Sequence, residues 1–440
     1  MNAVVIGVIT MLALSMARMN VVLSIFVGAM VAGLSGGLEM TGTMTAFTHG
    51  LGGGAEIALS YALLGAFAAA LAHSGVPAWL AAGVARKLDR GPEGKPSARG
   101  KFVLLGGILC MAIASQNIIP VHIAFIPILI PPLLATFGNM QLDRRIVACV
   151  LVFGLCGTYL VVPFGFGNIY LNQILASNLE ANGVTVDHAL LPLAMAIPVS
   201  GMFLGMLFAI FVSYRKPRHY NVVESKVIKQ YDEALAKNTL LVVGTAVALA
   251  LVIQIVTSSI VLGSVAGFLV MVVAGIVQWR KADDVFIEGI KMMAFAGFVM
   301  MVASGFGEVL RQTGDIPQLI DSVTYLFAGN KAIAALMMLI IGLLITMGIG
   351  SSFSTIPIIA AIFVPLAMQL GFSPLATAAL VGTAGALGDA GSPASESAIG
   401  PTVGLSTDGQ HDHIRDTVMP TFLHYNIPMI AFGWAAAMML

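Results

Sequence analysis

GTAGALGDAGSPASESAIGPTVGL, residues 382–405, is the stretch on which the fold of this chain turns. It lies between two strongly apolar regions and so belongs at membrane depth. Yet it gathers small residues around Asp389 and Glu396 and is interrupted by Pro393 and Pro401. Backbone freed from helical pairing survives at that depth only where it is buried in protein or lines a watery cavity, and intramembrane carboxylates are costly enough to imply a task. The stretch is therefore the expected substrate and ion site.

The rest of the composition agrees with a membrane setting. Of 440 residues, 58% are hydrophobic and only 10% are charged, and the mean hydropathy is +0.95. These values exclude a soluble domain and predict an all-α polytopic membrane protein. A net charge of zero gives no footprint for nucleic acid. The apolar run Ala3–Ala17 lacks a basic leader and a small-residue cleavage site, so it reads as a retained first span. Cys110, Cys149 and Cys156 all fall in apolar segments and read as small buried hydrophobes.

Outward from that stretch, the chain divides into two similar halves. The first, 1–213, has expected spans near 3–17, 21–38 and 56–80, then a polar loop Arg86–Lys101. Next come a long apolar stretch 102–137 interrupted at Ser115, Gln116, Asn117 and Pro120, a stretch 142–178 interrupted at Val161–Asn168, and a span 189–213. A basic connection, 214–238, separates the halves. In the second half, 239–440, spans are expected near 239–257, 260–279 and 293–310, with an amphipathic piece 314–328. They are followed by 331–370 interrupted at Gly350–Thr355, the broken stretch 375–404, and a last span 418–440. ALAHSGVP, ending at Pro77, resembles VLRQTGDIP, ending at Pro317, and SQNIIP resembles FSTIP. Broken hydrophobic segments at corresponding places in two halves point to a transporter binding site.

Charge then sets an expected topology. If Arg86–Lys101 is cytoplasmic and the stretches 102–137 and 331–370 are re-entrant hairpins, about ten crossings result and the halves are inverted. All but two of the 21 lysines and arginines, Arg311 and Lys331, then fall on the cytoplasmic side, as the positive-inside rule asks. Both termini are expected outside. Charge cannot tell a hairpin from a pair of full crossings.

Hairpin tips and broken helices present free backbone amides and carbonyls near the membrane centre. Ser115, Gln116 and Asn117 at one tip, and Ser352, Ser354 and Thr355 at the other, add neutral oxygens of the kind that coordinate Na+. Gly165 and Asn168 mark the first break. Small hydroxyl residues also serve as interhelical packing. Asp389 suits a cation ligand or a proton carrier, Glu396 suits a substrate ammonium, and each also suits a cap on a half-helix. His122, just after the first tip, is a candidate for proton coupling, whereas Glu56, His73, Glu308, Asp315, His424, Tyr425 and Asn426 carry weaker signals. His411, Asp412 and His413 form a loop series that reads as solvated rather than metal-binding. The run Gly50–Gly54 lacks the ending of a phosphate loop.

The run GDAGSPASES, Gly388–Ser397, resembles the GD-x-x-SP-x-S-acidic signature of the NhaC-type Na+/H+ antiporters of the ion-transporter superfamily. A resemblance over most of the chain, including HDHIRDTVMPTFLHYNIP at His411–Pro428, is to bacterial proteins of the Na+/H+ antiporter family. Some of these are regarded as histidine or amino-acid permeases. The resemblance implies an inverted-repeat fold with two re-entrant hairpins and two discontinuous helices, a moving transport part on a static scaffold, and a homodimer. It places Asp389, Ser392 and Glu396 on the signature. Ala390 stands where a basic residue is common, which leaves room for an organic substrate.

The expected function is thus cation-coupled uptake of a small amino acid, histidine among them, across the cytoplasmic membrane by alternating access. The coupling ion is Na+ or H+, with no other cofactor. The alternative is a Na+/H+ antiporter using Asp389. A hydrolase is not expected, since the chain has neither a His-Glu-x-x-His helix nor a Gly-x-Ser-x-Gly elbow.

Overall fold

The computed structural model describes residues 2–17, 19–76, 79, 98–117, 126, 130–221, 237–257, 259–319, 322, 330–393 and 395–440. His122, most of the loop Arg86–Lys101, the middle of the connection 214–238 and much of 314–328 lie outside them. The described residues are mostly helical, with no strand among them.

α1 (Ala3–Met16) and α2 (Val21–Ser35) form a tight pair in which a Cβ on Gly28 would lie 2.9 Å from the Gly7 carbonyl. α3 (Met40–His73) is a single helix of 34 residues and begins well before the apolar core expected at 56–80. Its lead-in, rich in threonine and glycine, is short of apolar side chains. What it offers instead is the absence of side chains.

That absence is used by a long helix of the second half. α4 is Ala98–Asn117, α5 Arg144–Val152, α6 Leu191–Phe208, α7 Lys237–Thr257, α8 Ile260–Val273, and α9 Ala282–Gln312, a helix of 31 residues where 293–310 was expected. α9 runs antiparallel to α3: Gly50 meets Gly305 and Glu308, Gly54 meets Met300 and Met301, Gly297 meets Ala58, and His73 lies 3.7 Å from Glu288. Small residues let two backbones approach where lipid supplies no hydrophobic drive for association. Packing therefore carries both helices beyond the segments that hydropathy marks.

The two interrupted stretches are hairpins or their arms. α10 (Lys331–Ile349) and α11 (Ser352–Gln369) are joined by Gly350 and Ser351, and the Lys331 ammonium donates to the Gly371 carbonyl at 2.7 Å. The hairpin thus returns to the end of the bundle it left. At the first hairpin, Lys101 and Phe102 of α4 share a pocket with Gln141, Leu142 and Asp143, so its ends also meet.

Each break lies within a crossing. After α5 the chain widens into a π-type turn at Phe153–Gly157, unwinds beyond Tyr159 and resumes helix at Phe166. α12 (Pro374–Ala386) is capped by Ser373, stops before Leu387, and gives way to an unwound segment that ends at α13 (Glu396–Leu405). The last crossing, from His413, contains two π-type stretches and ends in α14 (Ile427–Met439). Among the described residues, five helices are long and apolar enough to cross a membrane: Met40–His73, Gly100–Asn117, His188–Ser213, Asn238–Thr257 and Ser352–Gln369.

Candidate functional site

The second break is held open by specific contacts. Gly388 and Gly391 adopt φ of +88° and +116°, conformations that a side chain disfavours. A Cβ on Gly388 would meet the Met347 backbone at 2.9 Å, and one on Gly391 would meet Phe422. Asn426 clamps the segment from the last crossing: its Oδ1 accepts from the Gly388 amide at 2.8 Å and its Nδ2 donates to the Ala390 carbonyl at 2.9 Å. Backbone groups freed by unwinding are thereby satisfied, as burial requires.

Asp389 sits at the centre of the break, 5% exposed. Four hydroxyls donate to it: Tyr159 (2.6 Å) and Ser352 (3.1 Å) to Oδ2, and Ser395 (2.5 Å) and Ser397 (3.4 Å) to Oδ1. Tyr159 and Ser352 also lie 2.7 Å apart, and since each carries one hydrogen, a bond between them forms in place of one of their bonds to Asp389. Tyr159 comes from the first break, Ser352 from the second hairpin tip and the other two from the start of α13, so three separate elements converge on one carboxylate. A set of rotatable hydroxyls is chemically versatile. Each can donate a hydrogen to the carboxylate or turn a lone pair toward a cation beside it.

The first hairpin tip lies close by. The Asn117 amide donates to Thr158 at 2.7 Å, one residue before Tyr159. Gly165, with φ of +56°, packs directly on the Asn117 backbone, leaving no room for a side chain. The Oε1 of Gln116 and the Oδ1 of Asn117 are buried without a hydrogen-bond partner among the described residues. Ser115 turns back to the Ala112 carbonyl (2.9 Å), and Asn168 accepts from Asn172 (2.6 Å). An aromatic wall of Tyr61, Tyr159, Phe166, Tyr170 and Phe353 encloses this side, with successive ring centroids 5.1–6.0 Å apart.

Several expected residues play a different part. The Ser392 hydroxyl donates to the Met347 carbonyl at 3.1 Å and does not bond Asp389. Ser354 contacts the Met300 sulfur at 3.6 Å, and Thr355 bonds the Ser351 carbonyl at 2.9 Å. Glu396 is exposed and makes no hydrogen bond or ion pair among the described residues, although Ser395 and Ala398 beside it are buried.

Residues 150–434 match the Na+/H+ antiporter family, and residues 2–88 match a second group described as a Na+-H+ antiporter family. The chain belongs to the Na+/H+ antiporter family. It is 53% identical to the uncharacterized membrane protein VP2115 of Vibrio parahaemolyticus, with full coverage of both chains. It is 47% identical, again over the whole of both, to a Bacillus subtilis protein named "Putative amino acid transporter YuiF". In fold it is similar to the YdaH transporter of Alcanivorax borkumensis, with a TM-score of 0.59, 17% identity, and 90% of this chain and 87% of that one covered. This antiporter-family protein is accordingly a secondary transporter with an all-α polytopic membrane fold, and not an enzyme.

Beyond the site, the transporter carries a cluster of charges at the end of the bundle where the first hairpin opens. Arg144, 1% exposed, makes a bidentate pair with Asp408 (2.6 Å to each oxygen) and donates to the Leu405 carbonyl (3.1 Å). The Tyr220 ring stacks 4.2 Å from its guanidinium. Arg218 pairs with Asp416 at 2.7 Å. Burial alone would raise the Asp408 carboxyl, but the hydrogen bonds and charge of Arg144 outweigh it and hold the group below the usual carboxylate range. His411 pairs with Thr417 (2.7 Å), and burial pushes it down to about 4. His413 bonds Thr402 and the Pro393 carbonyl, so the two histidines of the loop series face different partners. Among the described residues no group of three histidine, cysteine or acidic side chains converges as for a metal. Both nitrogens of His424 are bonded, to Ser213 (2.8 Å) and the Pro420 carbonyl (2.7 Å).

Sequence reasoning did not single out Tyr159, Ser395 and Ser397, which bond Asp389, or Tyr61 of the aromatic wall, and it gave Asn426 only a weak signal. The two serines lay inside the signature run itself. Tyr159 directly precedes the break and could have been suspected from its place. Tyr61, on the continuous helix α3, gave no signal.

Proposed function

We propose that this transporter takes up a small amino acid across the cytoplasmic membrane, coupled to Na+ or H+, with Asp389 as the site of the coupling ion. The observation that carries this reading is the hydroxyl cage of Asp389, built from the first break, the second hairpin tip and α13, next to the open carboxylate Glu396. The cage suits a small cation or a proton, and the exposed carboxylate suits an organic solute. A relative named for amino acid transport supports the organic solute, and histidine is the first to test.

Alternating access would come from motion of the hairpins and broken crossings against the α3/α9 pair. The antiparallel packing of α3 on α9, and hairpins that open at opposite ends of the bundle, support two inverted repeats. The gathering of Lys101, Arg144, Arg145, Arg215 and Arg218 at one end supports its placement in the cytoplasm. In this reading both termini face outward and the protein works as a homodimer.

The test is a melting-temperature screen of purified protein against the twenty amino acids, with and without Na+, since a ligand bound only by the native state stabilises it by mass action. Stabilisation by an amino acid that Na+ or low pH strengthens is the expected result. The second reading, Na+/H+ exchange at Asp389, is favoured by the complete enclosure of that carboxylate in hydroxyls. It predicts that Na+ and pH shift melting while every organic solute is silent.

A further inference from the structure

Four tyrosines of the described interior are almost wholly buried, and three of them have hydroxyl partners. Tyr159 bonds Asp389 and Ser352, Tyr170 donates to the Gly382 carbonyl at 2.6 Å, and Tyr425 donates to the Cys149 carbonyl. The fourth, Tyr61, is 5% exposed, yet its hydroxyl makes no hydrogen bond among the described residues. The ring is buried, but the hydroxyl is not among the buried polar atoms that lack a partner, so it is the accessible tip of the side chain, open to a partner from outside the fold.

The surroundings of Tyr61 say what that partner is. Its ring is fixed between Phe166, at 5.4 Å, and Phe353, at 6.0 Å. Phe353 directly follows Ser352, which bonds Asp389, and the same carboxylate accepts from Ser395 and Ser397 on either side of Glu396. Phe166 directly follows Gly165, which packs on Asn117, so the two orphaned oxygens at the first hairpin tip border the same region. Asp389 is closed by its four hydroxyl donors, whereas Glu396 is open.

We propose that Tyr61 is a solute-binding residue, and that its hydroxyl oxygen and the Glu396 carboxylate together receive the ammonium group of the transported amino acid. This inference rests on the amino-acid reading given above and adds to it the recognised group and a residue outside the signature. An ammonium carries three donors and no acceptor. The region offers it acceptors: the Glu396 carboxylate, the phenolic oxygen of Tyr61, and the unpaired amide oxygens of Gln116 and Asn117. The positive charge also relieves the cost of holding Glu396 ionised at membrane depth. The two carboxylates thereby divide the work, Asp389 taking the coupling ion and Glu396 the solute.

The experiment measures binding to the purified full-length protein and to its Tyr61→Phe and Glu396→Gln variants, by melting shift and competition. The probes are the twenty amino acids, the amines formed by their decarboxylation, and the 2-hydroxy acids in which a hydroxyl replaces the ammonium. The expected result is that amines compete and hydroxy acids do not. Tyr61→Phe should weaken the amino acid and its amine alike by about tenfold, the loss of one hydrogen bond to a charged group, and Glu396→Gln should weaken them more. Both variants should keep a single cooperative melting transition like that of wild type, which shows that they fold. Hydroxy acids that bind as well as amino acids would overturn the proposal, as would an unchanged affinity in Tyr61→Phe. If amino acids bind but these variants are indifferent, only this inference falls. If no amino acid or amine binds while Na+ shifts melting, the uptake reading falls with it.

Discussion

Replacing Asp389 by asparagine separates its role in the fold from its role in ion binding. Two of its hydroxyl bonds are short, 2.5 Å from Ser395 and 2.6 Å from Tyr159. Bonds of that charge-assisted kind contribute about 1.5–3 kcal/mol each, or roughly 3–6 together. Desolvating the carboxylate costs several kcal/mol, so the two effects nearly cancel. Asp389→Asn should therefore change stability by less than about 2 kcal/mol, the hydroxyls rotating to suit the amide. Its effect on a cation should be far larger. A monovalent ion about 4 Å from the carboxylate gains about 4 kcal/mol at an effective dielectric constant near 20, which is roughly a thousandfold in affinity. At a Na+ concentration that stabilises wild type by about 2.7 kcal/mol, one hundred times Kd, the variant would gain less than about 0.1 kcal/mol. Melting curves of the purified proteins across Na+ concentration and pH measure both quantities. A variant that melts like wild type and still responds fully to Na+ and to pH would refute the assignment of the ion to Asp389.

Three further outcomes are expected. Asp408→Asn strands the Arg144 guanidinium in the interior and should cost about 3–5 kcal/mol, while Arg144→Met combined with Asp408→Leu should recover most of that loss, as read by thermal or denaturant unfolding. Gly54→Ala would put a Cβ 2.6 Å from the Met301 Cα, a backbone atom that cannot turn aside, and should destabilise the α3/α9 pair by about 1–3 kcal/mol in the same assay. His411 is neutral in the fold with its pKa lowered from 6.5 to about 4, so the unfolded chain binds the extra proton between those values. Its contribution, at most about 3 kcal/mol for the shift of some 2.5 units, is present above pH 6.5 and lost as pH falls toward 4. His411→Gln should flatten that part of the pH–stability curve, and an unaltered slope would sink the argument.

Much of the site could be read before any coordinates. The prolines, glycines and carboxylates of residues 382–405 announced a break at membrane depth, and the break lies between Ala386 and Glu396. Asp389 lies within that break and gathers its hydroxyl partners there. The identity of its partners was not legible, because Tyr159 and Ser352 are far from it along the chain. Ser392 shows the converse: it lies in the signature, but the turn at Gly391 directs its hydroxyl to Met347. Within a break, helical spacing no longer predicts direction.

The sequence by itself determined that this chain is an all-α membrane protein with interrupted crossings, because solvation by lipid acts on each segment's own composition and on its own unpaired backbone. It also determined that the interruptions hold the polar chemistry, since charge at that depth is too costly to be incidental. The lengths of α3 and α9 were decided by the tertiary structure, where glycine on one helix is worth something only against the backbone of the other. So was the pairing of Arg144 with Asp408, 264 residues apart. The difference between an enclosed Asp389 and an exposed Glu396 was decided there too. Two carboxylates seven positions apart are alike as letters, and they differ because four hydroxyls from three elements converge on one and none on the other.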